Sequence, residues 1–419
     1  MPSLFHRVVT ACRPLRIPLF RRHVTARVLS WTGTAVSPVA LAFAVLHIGG
    51  GPGSLGLVLA AEMGSLLLML LIGGAVADQV SRTRVLAWAN AGAGAGQGVA
   101  ALLVASGRAE VWHLVGLAVV GGVTGAFSGP AASGVVREVV PVDELQQANA
   151  LLRLAQNSVK AGGPALGGVL VGVVGPAWAI GWDAVTYLIA AVLYARLRLP
   201  AERVRIGPPG MLGGIAEGWR EFVARRWLWL MVGQSALVVP CWLISYQTYG
   251  PVYGQQHLGG APGWGLVMSG FTCGLIAGAS VALVLRPRRV GWLVCAGTAA
   301  MAAPMAAMAT GGGLAVVVAG AAVAGCGQTL GSTVWTSFVQ RQVPEHLYGR
   351  VSSISTLAQL APVPLTALLA GAVAGHTGVR PGLAVCAVVT VTAAGTPLCL
   401  RRIRALTLPT VDTKTLVRR

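Results

Sequence analysis

Glu62, Lys160 and Asp183 stand inside long runs of apolar residues. A charge in such a run is expensive, so each of the three marks a candidate functional site. A carboxyl group that is costly as an anion and harmless as an acid is suited to binding a proton from one side of a barrier and releasing it to the other. Glu62 is the first candidate for that role, with Asp183 beside it. Lys160 could balance a buried acid or an anionic ligand, although a long cationic side chain can also snorkel to the nearest interface. Arg153 and Arg27 lie nearer the ends of their runs. Other chemistries find no footing. No G-x-x-x-x-G-K-[ST] loop is present to cradle a nucleotide, so the chain is not expected to hydrolyse ATP. The seven cysteines are scattered without a C-x-x-C pair, and the seven histidines show no metal-ligand spacing. No catalytic residue, cofactor or metal is expected.

These residues need elements to position them, and composition says what kind. Charged residues make up 10% of the chain and hydrophobic residues 55%, with a mean hydropathy of +0.72. A soluble protein carries roughly 25% charged residues, so most of this surface must face lipid. A soluble enzyme, a collagen-like fibre and a disordered chain are excluded. A spanning helix takes about 20 apolar residues, and 419 residues divided among twelve crossings leaves about 35 for each span and its loop. The apolar runs are 24–47, 54–77, 85–105, 111–136, 151–174, 177–196, 227–249, 263–285, 291–309, 313–338, 351–374 and 381–400. The net charge of +19 does not indicate nucleic acid, because the basic residues form brief clusters between spans. Arg82 and Arg84, Arg137, 196–226, Arg286–Arg289, Arg341 with Arg350, and the segment from Arg401 alternate with loops holding only Arg108 and Arg380. That asymmetry predicts that both termini are cytoplasmic. Arginine outnumbers lysine 29 to 2, which is associated with a high-GC bacterial source, so a bacterial inner (plasma) membrane is the expected location.

The chain divides near its midpoint. A first bundle of six spans covers 1–196, a linker 197–226, a second bundle 227–400 and a cytoplasmic tail 401–419. Within the linker, Ile215, Trp219, Phe222 and Val223 fall on one face and Glu217, Arg220, Glu221 and Arg225 on the other, the pattern of a helix lying on the membrane surface. Val140-Pro141 recurs as Val343-Pro344, 203 residues later, each followed by polar residues and a new span. Two six-span halves repeated in parallel are a transporter architecture.

The motifs carry a resemblance. Residues 73–84, Gly-Gly-Ala-Val-Ala-Asp-Gln-Val-Ser-Arg-Thr-Arg, resemble the G-x-L-A-D-R-x-G-R-K/R loop of the major facilitator superfamily, matching at Gly74, Ala77, Asp78, Arg82 and Arg84 and departing at Gln79 and Ser81. Residues 125–168 resemble the branch containing macrolide-efflux proteins and the enterobactin exporter. Phe127, Pro130-Ala131, Val140-Pro141, Leu145, Ala148-Asn149-Ala150 and Gly163 to Gly168 carry that match, with Asp183 and Gly349-Arg350-Val351 extending it. The resemblance implies an all-α membrane protein with twelve transmembrane helices in two six-helix bundles, the major facilitator fold. It implies a secondary transporter that exports a hydrophobic or amphiphilic small molecule by proton antiport and alternating access. Gly74, Asp78, Arg82 and Arg84 would then form a gating loop, its carboxylate capping a neighbouring helix and pairing with arginines. Gly163, Pro164, Gly167 and Gly168 would form the antiporter-type element of the fifth helix, although Val159 stands where that pattern begins with glycine. The fourth span lacks the mid-helix arginine of many proton-coupled drug exporters. By analogy with the family, Trp31, Thr34, Gln234, Trp242, Tyr246, Gln328 and Trp335 would line the substrate cavity. The expected partners are a small amphiphilic substrate, the bilayer and protons, with no nucleic acid and a monomeric chain. Siderophore or peptide export with different coupling, and a non-transporting scaffold or immunity protein, are the alternatives.

Overall fold

The computed structural model describes residues 13–77, 81–141, 144–197, 219–284, 289–343, 345–404 and 406. Among them there are helices and connections and no strands, as the composition requires: in lipid a helix satisfies its own backbone hydrogen bonds. The first half contains α1 (Pro18–His47), α2 (Pro52–Ala77), α3 (Arg82–Ala105), α4 (Val111–Val139), α5 (Leu145–Val174) and α6 (Pro176–Ala195). The second half contains α7, which runs from Arg226–Ile244 through a π turn at Ser245–Tyr249 to Gly250–His257, and α8 (Ala261–Val284). It continues with α9 (Val290–Ala300 and Ala302–Ala309), α10 (Leu314–Gln342), α11 (Glu345–Leu360 and Val363–Thr377) and α12 (Val379–Gly395). The break in α11 falls at Ala361-Pro362, where the proline ring removes a donor and displaces the preceding turn.

Ten of these segments are long and apolar enough to cross a bilayer. The other two long helices are α3 and α5, whose first turns carry Arg82 with Arg84 and the polar run from Gln146 to Asn149. Both pack within the same bundle, α3 against α6 and α4, α5 against α1, and a count of twelve includes them. Polar loop sequence has thus been drawn into helix: α5 starts at Leu145, ahead of the apolar run that opens at 151. Of the linker's expected surface helix, Ile215 and Glu217 lie outside the described residues, as does the rest of 198–218. Its last turn, 219–224, is helical. There Phe222 is buried against Val339, Val343 and Val351 of the second bundle, and Glu221 pairs with Arg225.

The internal repeat extends beyond the two Val-Pro loops. α4 and α10 are related by a shift of 203 residues at both ends. The same shift relates Gly175 (φ 88°) to Gly378 (φ 79°), the single-residue corners between α5 and α6 and between α11 and α12. A left-handed corner of one residue is open to glycine and strained for other side chains.

The two halves meet most extensively along two seams, α5 on α8 and α11 on α2, which the repeat exchanges. At the first, a Cβ on Gly265 would sit 2.8 Å from the Pro164 carbonyl oxygen and 3.1 Å from the Gly168 Cα. At the second, a Cβ on Gly371 would sit 2.8 Å from the Pro52 oxygen and 3.1 Å from the Gly53 Cα. Gly168 and Gly371 are again 203 residues apart. Only residues without side chains allow backbones this close, where dispersion and weak C–H···O contacts replace the hydrophobic drive that lipid does not supply. Both seams lie at the end of the molecule that carries Gly175, Gly378 and the connections 48–51 and 258–260.

Gly265→Ala and Gly371→Ala should each lower stability by about 1–3 kcal/mol through overpacking, read as a fall in Tm of the purified protein in detergent. Gly313→Ala, with nothing within 4 Å of its Cβ position, should leave Tm unchanged.

Candidate functional site

A cavity of about 320 Å³ lies inside the first bundle, walled by α1, α2, α3, α4 and α6. Its chemistry follows from helical spacing. Asp183 and Tyr187 are four apart on α6 and share a face. Thr34 and Ser37 on α1 face the same space, joined by Asn90 and Gln97 seven apart on α3 and by Glu62 on α2. From α7 in the second half, Gln247 reaches the cavity.

The polar groups are linked in places. The hydroxyls of Thr34 and Tyr187 are 3.0 Å apart, and Gln97 Nε2 donates to Ser37 Oγ at 3.2 Å. Thr34 also donates to the Ser30 carbonyl at 2.8 Å, and Asn90 Nδ2 to the Leu86 carbonyl at 2.7 Å. Pro38 of α1 lines the cavity and has no N–H, so the Thr34 carbonyl one turn earlier has no helical donor.

The acids are the exception. Asp183 is 1% exposed, yet neither carboxylate oxygen has a hydrogen-bond partner. It is pressed against α1 at Gly33, where a Cβ would sit 2.8 Å from the Asp183 Cα and overlap its carboxylate and the Thr186 hydroxyl. Glu62 lines the same cavity, and its carbonyl accepts from Ser65 Oγ at 3.0 Å. Among the described residues neither acid forms an ion pair. The nearest cation along α1, Arg27, is six residues from Gly33, about 9 Å along the helix. Its guanidinium lies 4.8 Å from the centre of the Trp31 ring. Two acids, hydroxyls and amides share the chamber with one arginine, Arg27, which lines it at the far end of this stretch of α1.

The other candidates are placed as follows. Trp31 and Thr34 line the chamber. Gln234, Gln328 and Trp335 line a separate cavity of about 190 Å³ in the second bundle. Trp242 and Tyr246 stack at 4.0 Å in a buried aromatic cluster with Phe271 and Trp264, outside both cavities. Lys160 is exposed on α5, and its carbonyl accepts from Thr272 of α8 at 3.2 Å, beside the first seam. In the α5 element, Gly163 and Gly167 face α1 at Ala35 and Val36, while Pro164 and Gly168 face α8.

Of the loop between α2 and α3, Gly74 lies in the last turn of α2 and Asp78 lies outside the described residues. Ser81 caps α3, accepting from the Arg84 N–H at 3.4 Å. Arg82 pairs with Glu138 at the end of α4 at 2.9 Å. It crosses Gly134, where a Cβ would run into the guanidinium. Sequence reasoning passed over Glu138, Asn90, Gln97 and Tyr187. The available signals were an acid next to Arg137 at the end of a span, and polar residues seven apart in the Ala/Gly run of α3.

The transmembrane secretion effector family matches residues 9–415 of the chain. The multidrug efflux pump Tap of Mycobacterium tuberculosis (strain ATCC 25618 / H37Rv) is 27% identical over 373 residues, covering 85% of this chain and 87% of that protein. Tap of Mycobacterium bovis (strain BCG / Pasteur 1173P2) matches equally. Among solved structures, the nucleoside transporter NupG superposes with a TM-score of 0.67 at 13% identity, over 91% of this chain and 98% of that one. A bacterial homologue of the human lysosomal transporter Spinster, inward-facing and unoccupied, gives 0.68 at 16% identity over 95% and 99%. At these identities the superpositions establish a shared fold.

Asp183→Asn puts a neutral group of the same shape where the carboxylate has no ion-pair partner among the described residues, so the variant should fold and keep or raise its Tm in detergent. Gly33→Ala forces the same carboxylate out of its place and should cost about 1–3 kcal/mol. A loss of fold in Asp183→Asn would mean that the ionised carboxylate is structural.

Proposed function

The chain belongs to the transmembrane secretion effector family, and from that premise we propose that it is a secondary exporter of amphiphilic small molecules, driven by proton antiport through alternating access. The observation that carries this reading is the pair Asp183 and Glu62 in one chamber, the first fully buried with both oxygens unpartnered. The similarity to a multidrug efflux pump along most of both chains supports export, and the mostly apolar chamber wall supports an amphiphilic cargo.

In the proposed orientation both termini are cytoplasmic, and the α3 and α5 helices complete two bundles of six spans, 1–196 and 227–400, about the linker 197–226. The glycine seams then close the outer face, and the chamber communicates with the cytoplasmic side. A buried carboxylate with no counter-cation is unfavourable as an anion, so in the absence of cargo it gains by taking up a proton. A cationic or strongly polarised cargo entering from the cytoplasm supplies the missing partner and releases that proton. Reversal of the seams would carry cargo outward, and protonation from the outer side would reset the acids. Asp78, Arg82 and Arg84 act at the cytoplasmic ends of α2 and α3 in this scheme. Arg82 is tied to α4 through Glu138 in the state described, and the pair would have to move as the bundles rock. The chain works as a monomer, since both seams close within it.

Inside-out vesicles with an acid lumen test the proposal directly. Wild-type protein should accumulate ethidium in the lumen and stop when the pH gradient is collapsed. Glu62→Gln and Asp183→Asn should each slow gradient-driven uptake at least tenfold, about 1.4 kcal/mol or more in barrier, with unchanged amounts of protein in the membrane. Full activity in both variants would remove the acids from the mechanism.

A further inference from the structure

The cavity in the second bundle differs in kind from the chamber in the first. It lies among α7, α9, α10 and α11, and α9, which supplies one wall through Val294, Thr298 and Met301, packs on α10 and α12. All the residues that line it come from the second bundle, whereas the chamber takes in Gln247 from across the midline. None of its lining side chains is ionisable. In surroundings this apolar a charged ligand would find no compensation, so the cavity selects against ions of either sign.

What it offers is amides and one flat indole. Gln234 is 6% exposed, and its Oε1 has no hydrogen-bond partner. Gln359 donates one of its two Nε2 hydrogens to the Ser355 carbonyl at 3.0 Å, which fixes the amide and leaves its oxygen free to accept. The hydroxyls of Ser235 and Thr298 are turned back onto their own helices, at 3.0 Å from the Met231 carbonyl and 2.9 Å from that of Val294, so the amides are left as the specific groups. Trp335 is held edge-on by Trp227 at 5.6 Å and closes one side. At about 190 Å³ the cavity is smaller than the roughly 300–1,000 Å³ of a site for a whole drug-sized molecule. It has room for one ring with its adjacent hydrogen-bonding groups, the rest of a larger molecule lying outside it.

We infer that the second bundle holds a charge-free ligand site, built by Gln234, Gln328, Gln359 and Trp335, which takes a neutral ring bearing hydroxyl or amide groups. A ligand O–H or N–H satisfies the buried Gln234 oxygen, and the ring lies against the indole of Trp335. The inference deepens the reading of the chain as a carrier of small molecules and rests on it. The chamber in the first bundle reads positive charge, and this site reads neutral hydrogen-bonding groups. Cargo of the two types, or two parts of one cargo, would be recognised in different halves.

Equilibrium binding to the purified full-length protein in detergent tests this without any gradient, so failure here is separable from failure of proton-driven export in vesicles. Radiolabelled chloramphenicol serves as the neutral probe, a nitrophenyl ring on a chain with an aliphatic amide and two hydroxyls, and tetraphenylphosphonium as a cation with no hydrogen-bonding group. Gln234→Leu should weaken chloramphenicol binding about tenfold, the loss of one buried hydrogen bond, and leave tetraphenylphosphonium within twofold. Glu62→Gln should do the reverse. Because the Gln234 oxygen has no partner in the protein, Gln234→Leu should keep or raise Tm, whereas a structural glutamine would lower it. If that variant does not fold, Gln328→Leu from the opposite wall carries the same expectation. Absence of chloramphenicol binding to wild type, unchanged affinity in the folded glutamine variants, or equal weakening of both probes would overturn the assignment.

Discussion

A charge held in an apolar bundle must be given a partner, a proton or water, and among the described residues the first half of this protein gives Asp183 no paired cation, only the neighbouring Ser37 hydroxyl. Around it the helices are arranged at full packing. Gly33 lets α1 lie directly on the carboxylate, and Thr186 of the next turn donates to the Asp183 carbonyl at 2.8 Å. The surrounding amides and hydroxyls bond mainly to one another, through Gln97 to Ser37 and Thr34 to Tyr187, and leave the acid at most the Ser37 hydroxyl. An arrangement that spends its hydrogen bonds elsewhere and strands one carboxylate is costly for stability alone. It is coherent as a site whose partner arrives from outside.

In the proposed cycle the seams determine when that partner can arrive. Their contacts are backbone on backbone, at Gly168 with Gly265 and at Gly371 with Gly53. Contacts of this kind are close and short-ranged, and beside the first seam only the Thr272 hydroxyl on the Lys160 carbonyl adds a side-chain hydrogen bond between α5 and α8 among the described residues. The repeat places them symmetrically about the midline, so a rocking motion loosens both together. On the opposite end of the molecule, Arg82 and Glu138 join α3 to α4 within one half, and Arg13 reaches Glu144 at 2.9 Å. Those ionic contacts stiffen the first bundle and do not bridge the two halves.

The fold was legible because lipid imposes a simple code. Apolar runs of span length, arginines on alternate loops and a recurring Val-Pro corner are properties of single segments, and the helices follow them. The boundaries moved where polar sequence was absorbed into helix, as at Leu145, and where proline broke a run, as at Pro362. The site was legible in part. Glu62 and Asp183 stand out singly against apolar neighbours, but their sharing of one chamber is a matter of how α2 and α6 pack around α1, which no local pattern encodes. The aromatic residues illustrate the limit. Trp31, Trp335 and Trp242 look alike in sequence, yet the first two face cavities while Trp242 is locked against Tyr246 and Phe271. Glu138 was hidden for a similar reason: its partner is 56 residues away, across a loop and a span.

Exchange of a proton for a cation on the acids of the first bundle is the step on which the proposed export turns, and it can be observed without transport. Purified protein in weakly buffered detergent solution, titrated with tetraphenylphosphonium in the presence of a pH indicator dye, should release between one and two protons per cation bound, falling to none when Glu62→Gln and Asp183→Asn are combined. Saturable binding of the cation to the wild-type protein with no release of protons would contradict it.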